Sequence, residues 1–352
     1  MRICHFTSAH TPTDVRIYVK ECCSLQEAGH EVWIVARGED KIQNGIHFVG
    51  CKPPKGRISR MLTFSRKIYK AALKLNCDVY HFHDPELLPY GKKLQKKGKR
   101  VIFDSHEDVA GQILDKQWIP APFRKMVSCL YKKYETRVVR RLDAVVAATP
   151  SIARIFEGVA QKTVVVNNYP KLDDIVFCNI PFAERERAIA YAGGLDELRG
   201  KSVIFGAMKD LDGALLLAGN HEQPDNAHIV CVGNVNREGV NKLYARARAG
   251  LVLYQPAANH YESQPIKMFE YMAAGLPFVA SDFPLWQELV EGNQCGICVP
   301  PADVEKIREA AQKLLDEPEL SEQLGKNGRR AVEEKYNWEQ EKIKLIALYR
   351  EL

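Results

Sequence analysis

One feature constrains this chain more than any other. Short β-branched and apolar runs alternate with segments of helical periodicity, twice over, with an irregular stretch between the two series. Such alternation builds parallel βαβ units. In the first series residues 2–7, 30–36, 46–51, 78–82, 100–103, 144–148 and 163–167 read as strands, and 16–28, 60–75 and 86–97 as helices. Gly29 and Gly98 stop two of those helices, as glycine does when a left-handed residue must close a helical run. The rhythm fails over 171–187, a polar, acidic stretch flanked by Pro170 and Pro181, which reads as a linker. Strands then return at 188–192, 214–218, 228–232, 250–254 and 278–280, followed by three helices near 303–315, 321–335 and 338–352. The expected class is α/β: two Rossmann-like doubly wound domains facing each other across a cleft, with ligands held beyond the carboxyl ends of the strands. The boundaries read as 1–170, a linker 171–187, a second domain 188–336, and a last helix, 337–352, returning to the first.

Length agrees with this division, because 352 residues exceed the roughly 250–300 at which one core stops growing. No apolar run reaches the about 18 residues of a spanning helix. Met1 leads straight into the first strand pattern, leaving no room for a signal peptide, so the expected location is the cytoplasm, at or near the inner face of the membrane. The ten cysteines are scattered and read as free thiols; Cys295 and Cys298 have redox or zinc spacing but no second pair to match. A net charge of +6 is too small to imply nucleic acid without a concentrated patch. One basic segment exists, 118–141, where Arg124, Lys125, Lys132, Lys133, Arg137, Arg140 and Arg141 interleave with Trp118, Ile119, Phe123, Met126, Leu130 and Tyr134. It fits either a helix resting on anionic lipid headgroups or a core-packed helix with a solvated basic face.

The most informative stretch runs from Glu262 through Gln264, Pro265, Ile266, Lys267 and Glu270 to Gly275 and Pro277. Pro265 suits a first helical turn and Gly275 a left-handed C-cap. Glu270 then lies about one turn in, leaning back toward free backbone N–H groups. A carboxylate suits a vicinal diol, and free amides at a helix start suit phosphate. Two acidic residues could equally do no more than complement the helix dipole.

These residues carry a resemblance. Glu262, seven residues, Glu270, then Tyr-Met-Ala-Ala-Gly-Leu-Pro resembles the donor-site signature of retaining GT-B glycosyltransferases of family 4. Tyr191 to Gly200 resembles that family's phosphate loop, and 81–89 and 102–107 resemble a subgroup from polysaccharide and lipopolysaccharide synthesis. The likeness extends over essentially the whole chain. It implies a nucleoside diphosphate sugar as donor, with uridine as base, a glycan or lipid-linked saccharide acceptor, and no metal or other cofactor. It implies that Glu270 binds the ribose, that Glu262 sits by the donor sugar, and that the amides around Ile266 and Lys267 meet the β-phosphate, with Gln264 and Pro265 beside them. Arg199, assisted by Lys267, would neutralise the departing diphosphate. Gly233, Asn234 and Val235 would flank the base, and His106 would face the reactive centre of the sugar.

Two departures stand out. Gly193-Gly194 replaces the family's usual Gly-Arg, and the loop 8–13 lacks the glycines often found beneath the diphosphate. Arg16, in the first turn of a helix, could meet an anionic partner or simply pair with Asp14 or face solvent. His10, Arg16, His83, Asp84 and Glu107 are candidates for the acceptor side. His81 and His83 share one side of a strand and Asp104 and His106 one side of another, a pattern open to metal binding; with Asp84 as the cap of a helix opened by Pro85, lining the acceptor side is the more economical reading. A nucleotide-sugar epimerase and a non-catalytic binding protein remain alternatives, whereas a dehydrogenase would need a glycine-rich fingerprint after the first strand.

Overall fold

The computed structural model describes residues 1–116 and 118–352. The chain divides into two compact units, one of residues 1–168 with 339–352 and the other of residues 169–338.

In the first unit, β1 (Arg2–Phe6), β2 (Glu31–Arg37), β3 (Lys41–Gln43), β4 (Ile46–Cys51), β5 (Val79–Phe82), β6 (Arg100–Ser105), β7 (Ala144–Ala147) and β8 (Thr163–Val165) form one sheet in the order β3-β4-β2-β1-β5-β6-β7-β8. Only β3 runs antiparallel, at the edge. The order reverses direction between β1 and β5, and such a switch point opens a crevice at the carboxyl ends. Because side chains alternate along a strand, Cys4, Phe6, Tyr80, Phe82, Val101 and Phe103 go to an aromatic-rich core. The other face receives His5, His81 and Asp104, all fully buried. A buried row of polar side chains is costly unless its members satisfy one another.

The segment Val15–Glu27 supplies groups to that polar face. It begins with π-type turns over Val15–Cys22, capped by Asp14, and continues as an α-helix over Cys23–Glu27. The wider winding has a consequence: residues five apart stack, so Arg16 and Glu21 fall on one side, where α-helical winding would have separated them. The last helix, Trp338–Glu351, belongs from Glu339 onward to this unit. Its Glu341 accepts from the Asn167 amide at 2.8 Å, and Tyr349 is buried against the histidines.

In the second unit, β9 (Ala188–Ala192), β10 (Ala214–Ala218), β11 (Ile229–Gly233), β12 (Ala249–Val252), β13 (Phe278–Ser281) and β14 (Gly296–Val299) are all parallel, in the order β11-β10-β9-β12-β13-β14. Both faces are apolar: Ala188, Ala190 and Leu216 lie in one core, and Ile189, Tyr191 and Leu215 in the other. That is the form a parallel sheet takes when helices cover both sides. Its switch point lies between β9 and β12.

The expected linker is corrected. Residues 171–187 hold two short 3-10 turns, and Ile175 and Phe182 are buried in the core of the second unit. A Cβ on Gly275, whose φ is +67°, would come within 2.3 Å of the Phe177 ring, so this segment packs directly on the C-cap of a central helix. Its polar composition concealed a few well-placed apolar residues that fix it to that unit.

Candidate active site

In the second unit, the loops leaving β9 and β12 approach at the switch point. The β9 loop contains Gly193 and Gly194. Gly193 has a φ of +110°, a conformation that only glycine adopts without strain. Its carbonyl meets His221 Nε2 at 2.8 Å, and the Gly194 carbonyl accepts from the Tyr191 hydroxyl at 2.9 Å. A trans peptide directs its N–H opposite to its C=O, so the amides of Gly194 and Leu195 face away from those partners. Ideal Cβ positions on Gly193 and Gly194 would lie 3.4 Å from Lys267 Nζ and 3.6 Å from Arg199 Nη1. Two cations therefore converge on a bare glycine pair.

Lys267 comes from the helix Ile266–Ala274, whose N-cap is Pro265 and whose C-cap is Gly275. No side chain caps its N-terminus, and Ile266 is exposed. Lys267 donates to the Tyr191 hydroxyl at 3.3 Å and lies 4.4 Å from the centre of that ring. Burial first, then the nearby Arg199 charge, lowers its pKa to about 8. Arg199 ends a 3-10 turn capped by Asp196 and pairs with that carboxylate at 2.6 Å.

Glu270, one turn along the same helix, is half-buried. Arg237 donates to its Oε1 at 2.8 Å and Tyr244 to its Oε2 at 3.1 Å. Arg237 opens the helix that follows the Gly233, Asn234, Val235 loop, with Asn236 as cap. Gly233 has a φ of +75°, and Asn234 and Val235 are exposed. Gln264 accepts from the Tyr169 hydroxyl at 3.4 Å, and Pro265 is buried. Glu262 is exposed in a turn before the helix. The expected donor residues other than Glu262 thus belong to one connected set of loops and one helix start. Sequence reading missed Arg237, Tyr244, Tyr191 as a hydroxyl donor, and His221. Arg237 lies two residues beyond the quoted loop, but only tertiary structure brings it to Glu270.

In the first unit the switch point carries a polar cluster. Asp104 receives Arg16 Nη2 at 2.7 Å and Nε at 3.0 Å, His83 Nδ1 at 3.0 Å, and His106 Nε2 at 2.6 Å. Burial alone would raise its pKa, but Arg16, His106 and His83 hold it well below the usual carboxylate range. Arg16 corrects two expectations at once: it meets no solvent, and its side chain is spent on Asp104 and on the Val166 carbonyl at 2.8 Å. Asp14 takes the backbone amides of Arg16 and Ile17 instead. Asp84 is corrected too, since it makes no side-chain cap. Its Oδ2 accepts from Thr7 Oγ1 at 2.7 Å and the Ser8 amide at 2.6 Å, tying down the loop after β1. His10 is half-buried between Asp14, at 3.2 Å, and Asp84, at 3.6 Å. Glu107 is exposed and takes Gln112 Nε2 at 2.6 Å. His106 is the partly exposed member of this network.

The basic segment forms the helix Ala121–Val139. One face is held to the unit: Ser128 donates to the Ala110 carbonyl at 2.8 Å, and Glu135 and Val138 are buried. The apolar stripe is not the packed face. Phe123, Met126, Leu130 and Tyr134 fall at spacings of three and four and are 40–59% exposed, and Trp118 just before them is 70% exposed. No helix among the described residues is long and apolar enough to cross a membrane.

Comparison with known proteins gives two family matches. Residues 16–169 match the family described as Glycosyltransferase Family 4, and residues 195–331 match Glycosyl transferases group 1. Over 90 residues the chain is 36% identical to the MMP alpha-(1->4)-mannosyltransferase of Mycolicibacterium hassiacum, a match spanning 25% of this chain and 22% of that relative's length. Among solved structures, sucrose-phosphate synthase from Thermosynechococcus elongatus aligns over 100% of this chain and 99% of its own at TM-score 0.77 and 20% identity. HepE of Anabaena, solved with UDP and glucose, aligns over 100% of both chains at TM-score 0.75 and 12% identity.

Proposed function

Since this chain belongs to the family 4 glycosyltransferases of GT-B fold, we propose that it transfers a hexose or hexose derivative, with retention, from a UDP-sugar to a hydroxyl of a growing, lipid-linked cell-envelope glycan. One observation carries the reading: at the switch point of the second sheet, Arg199, Lys267 and an uncapped helix start converge on a glycine loop, one turn from a hydrogen-bonded Glu270.

The hard step is loss of a diphosphate from the anomeric carbon. Negative charge accumulates on the leaving oxygens, and fixed cations and amide dipoles already in place stabilise it without reorganisation. Arg199 and Lys267 supply the charge, and the amides of Gly194, Leu195, Ile266 and Lys267 supply the dipoles. The chemistry therefore asks for no metal at the diphosphate. Glu270, steadied by Arg237 and Tyr244, takes the ribose diol. Glu262 is assigned to the donor sugar on the resemblance alone. In the first unit Asp104 orients His106, and the contact of His106 with the transferred sugar, like that of Glu262, is assigned on the resemblance alone. Attack on the same face as departure, with the leaving phosphate taking the acceptor proton, accounts for retention without a side-chain nucleophile.

The choice of uridine follows the neighbour solved with UDP. The lipid-linked acceptor is supported by the exposed apolar stripe of the helix Ala121–Val139, where Lys133 and Arg137 flank Leu130 and Tyr134. Amphipathic basic helices of this kind lie at anionic interfaces, which would place the protein at the inner face of a membrane.

A thermal-shift panel of UDP, GDP, ADP and their sugars tests the donor, because a ligand specific for the folded state raises the melting temperature. UDP and a UDP-sugar should give the largest shifts, and the proton spectrum of the transferred sugar should show the anomeric configuration of the donor. Absence of a shift with any nucleotide would sink the reading, and an inverted product would remove the mechanism.

A further inference from the structure

The buried face of the first sheet contains more ligating side chains than the transfer reaction uses. His5 on β1 and His81 on β5 are direct register partners, and His83 follows two residues later on the same side. Their rings lie 4.6–5.2 Å apart. Glu21 reaches them from the π-wound segment. The four are buried, with His5, His81 and Glu21 at 0% exposure.

Their hydrogen bonding is incomplete in a specific way. Neither carboxylate oxygen of Glu21 has a hydrogen-bond partner, and neither does His81 Nε2. Arg16 Nε lies 3.1 Å from Glu21 Oε1, but the guanidinium directs its N–H groups to Asp104 and Val166. Beyond that ion pair the buried Glu21 oxygens accept no hydrogen bond, which is costly and leaves them disposed to take a cation.

The outer bonds show what kind of partner. His83 Nδ1 donates to Asp104 at 3.0 Å, which leaves a lone pair on His83 Nε2. Tyr349 Oη lies 2.8 Å from His81 Nδ1 and 3.3 Å from His5 Nε2. His81 Nδ1 faces that oxygen, and His81 Nε2 is left without a partner. His5 Nδ1 and His83 Nε2 lie 3.0 Å apart, close enough for one hydrogen bond between them. A cation would replace that bond with two ligand contacts and give His81 Nε2 and Glu21 the partner they lack. Ligating histidines characteristically donate their second nitrogen to a carboxylate or another oxygen, which fixes the tautomer. Here each of the three has such an outer partner.

We propose that His5, His81, His83 and Glu21 form a structural zinc site inside the first unit, separate from the transfer chemistry. One ligand atom from each residue lies within 4.8 Å of the others. Small rotamer changes bring that set to the roughly 3.3 Å separation of ligands on tetrahedral zinc, given bonds of about 2.0–2.1 Å. Three nitrogens and one carboxylate oxygen make a closed shell with no open position, which is the form of a structural site rather than a catalytic one. The ion would hold β1 and β5 to the π-wound segment. Because the site is fully buried, loading accompanies folding.

Untagged protein, denatured with a chelator and refolded with or without Zn²⁺, tests this by metal analysis. We expect one zinc per chain to survive gel filtration. Zinc-refolded protein should melt roughly 5–10 °C above the metal-free form when zinc is at a hundredfold excess over its Kd. Co²⁺ should give the intense visible absorption of a tetrahedral centre. Glu21→Gln and His81→Asn should each reduce the retained zinc at least tenfold. Wild-type protein that folds in excess Zn²⁺ and retains none overturns the proposal, whatever the variants do. So does zinc that survives Glu21→Gln but is lost in His106→Asn, since it would then sit on His83, Asp104 and His106. Neither result touches the donor assay above.

Discussion

Glu270 and Arg237 meet at 2.8 Å, across two helices of the second unit that are remote in sequence. Arg237 is 41% exposed at its side chain and Glu270 only 14%, so the pair serves to aim the carboxylate more than to stabilise the fold. Glu270→Gln should therefore weaken UDP binding on the order of 10- to 100-fold, the worth of a hydrogen bond to a charged group, with little change in melting temperature. Calorimetric titration alongside a melting curve separates the two effects. Unchanged UDP affinity would remove the ribose assignment.

Lys267 predicts a pH dependence. In the free protein its pKa lies near 8, below the ordinary lysine range of about 10.4. UDP affinity should fall as pH rises through about 8, and Lys267→Arg should flatten that fall. The sign for stability is opposite. Between about 8 and about 10.4 the unfolded chain binds the proton that the folded chain has lost, so the lysine's penalty to the fold shrinks as pH rises. Titrations from pH 6.5 to 9.5, with and without UDP, test both signs.

Arg16 is 4% exposed at its side chain and depends on Asp104. Removing one partner of a buried pair strands the other charge. Asp104→Asn should cost roughly 3–5 kcal/mol, seen as a melting temperature lower by on the order of 10 °C. The carboxyl is held well below its usual pKa, so its contribution is present above about pH 4 and fades as pH falls further. The variant should lose that acid-side slope. A variant as stable as the parent would show that Glu21 alone suffices for Arg16.

The glycine pair separates strain from space. Gly193, at a φ of +110°, should resist alanine at a cost of about 1–2 kcal/mol from the backbone alone. Gly194 has no such φ, and its Cβ would make ordinary contact with Arg199. Gly194→Ala should leave stability within about 0.5 kcal/mol. Melting curves of the two variants compare them directly, and equal losses would refute the distinction.

Phe123→Glu combined with Leu130→Glu should reduce binding to vesicles containing anionic lipid by about tenfold or more, leaving UDP affinity unchanged. Co-sedimentation with anionic and with neutral vesicles measures it. Unaltered sedimentation would mean that the exposed stripe serves another partner.

The alternation of strands and helices was legible along the chain because period-two and period-3.6 patterns are local. So were the left-handed Gly275, the helix start at Pro265 and the acidic residue one turn on, since caps and turn chemistry are written in adjacent residues. The edge strands β3 and β14 were missed, being short and weakly patterned. The segment 171–187 was misread because two buried apolar residues, Ile175 and Phe182, outweigh its polar composition. The site pairings were not readable at all: Glu270 with Arg237, Arg16 with Asp104, Asp84 with the Thr7 loop, and Tyr349 with His5 and His81. Each joins residues brought together only when parallel strands assemble and, in the first unit, when the last helix packs on the sheet. Sequence alone determined which residues could ionise, ligate or turn. Which of them meet was decided by tertiary structure, because burial forces distant polar groups to find partners that local pattern does not name.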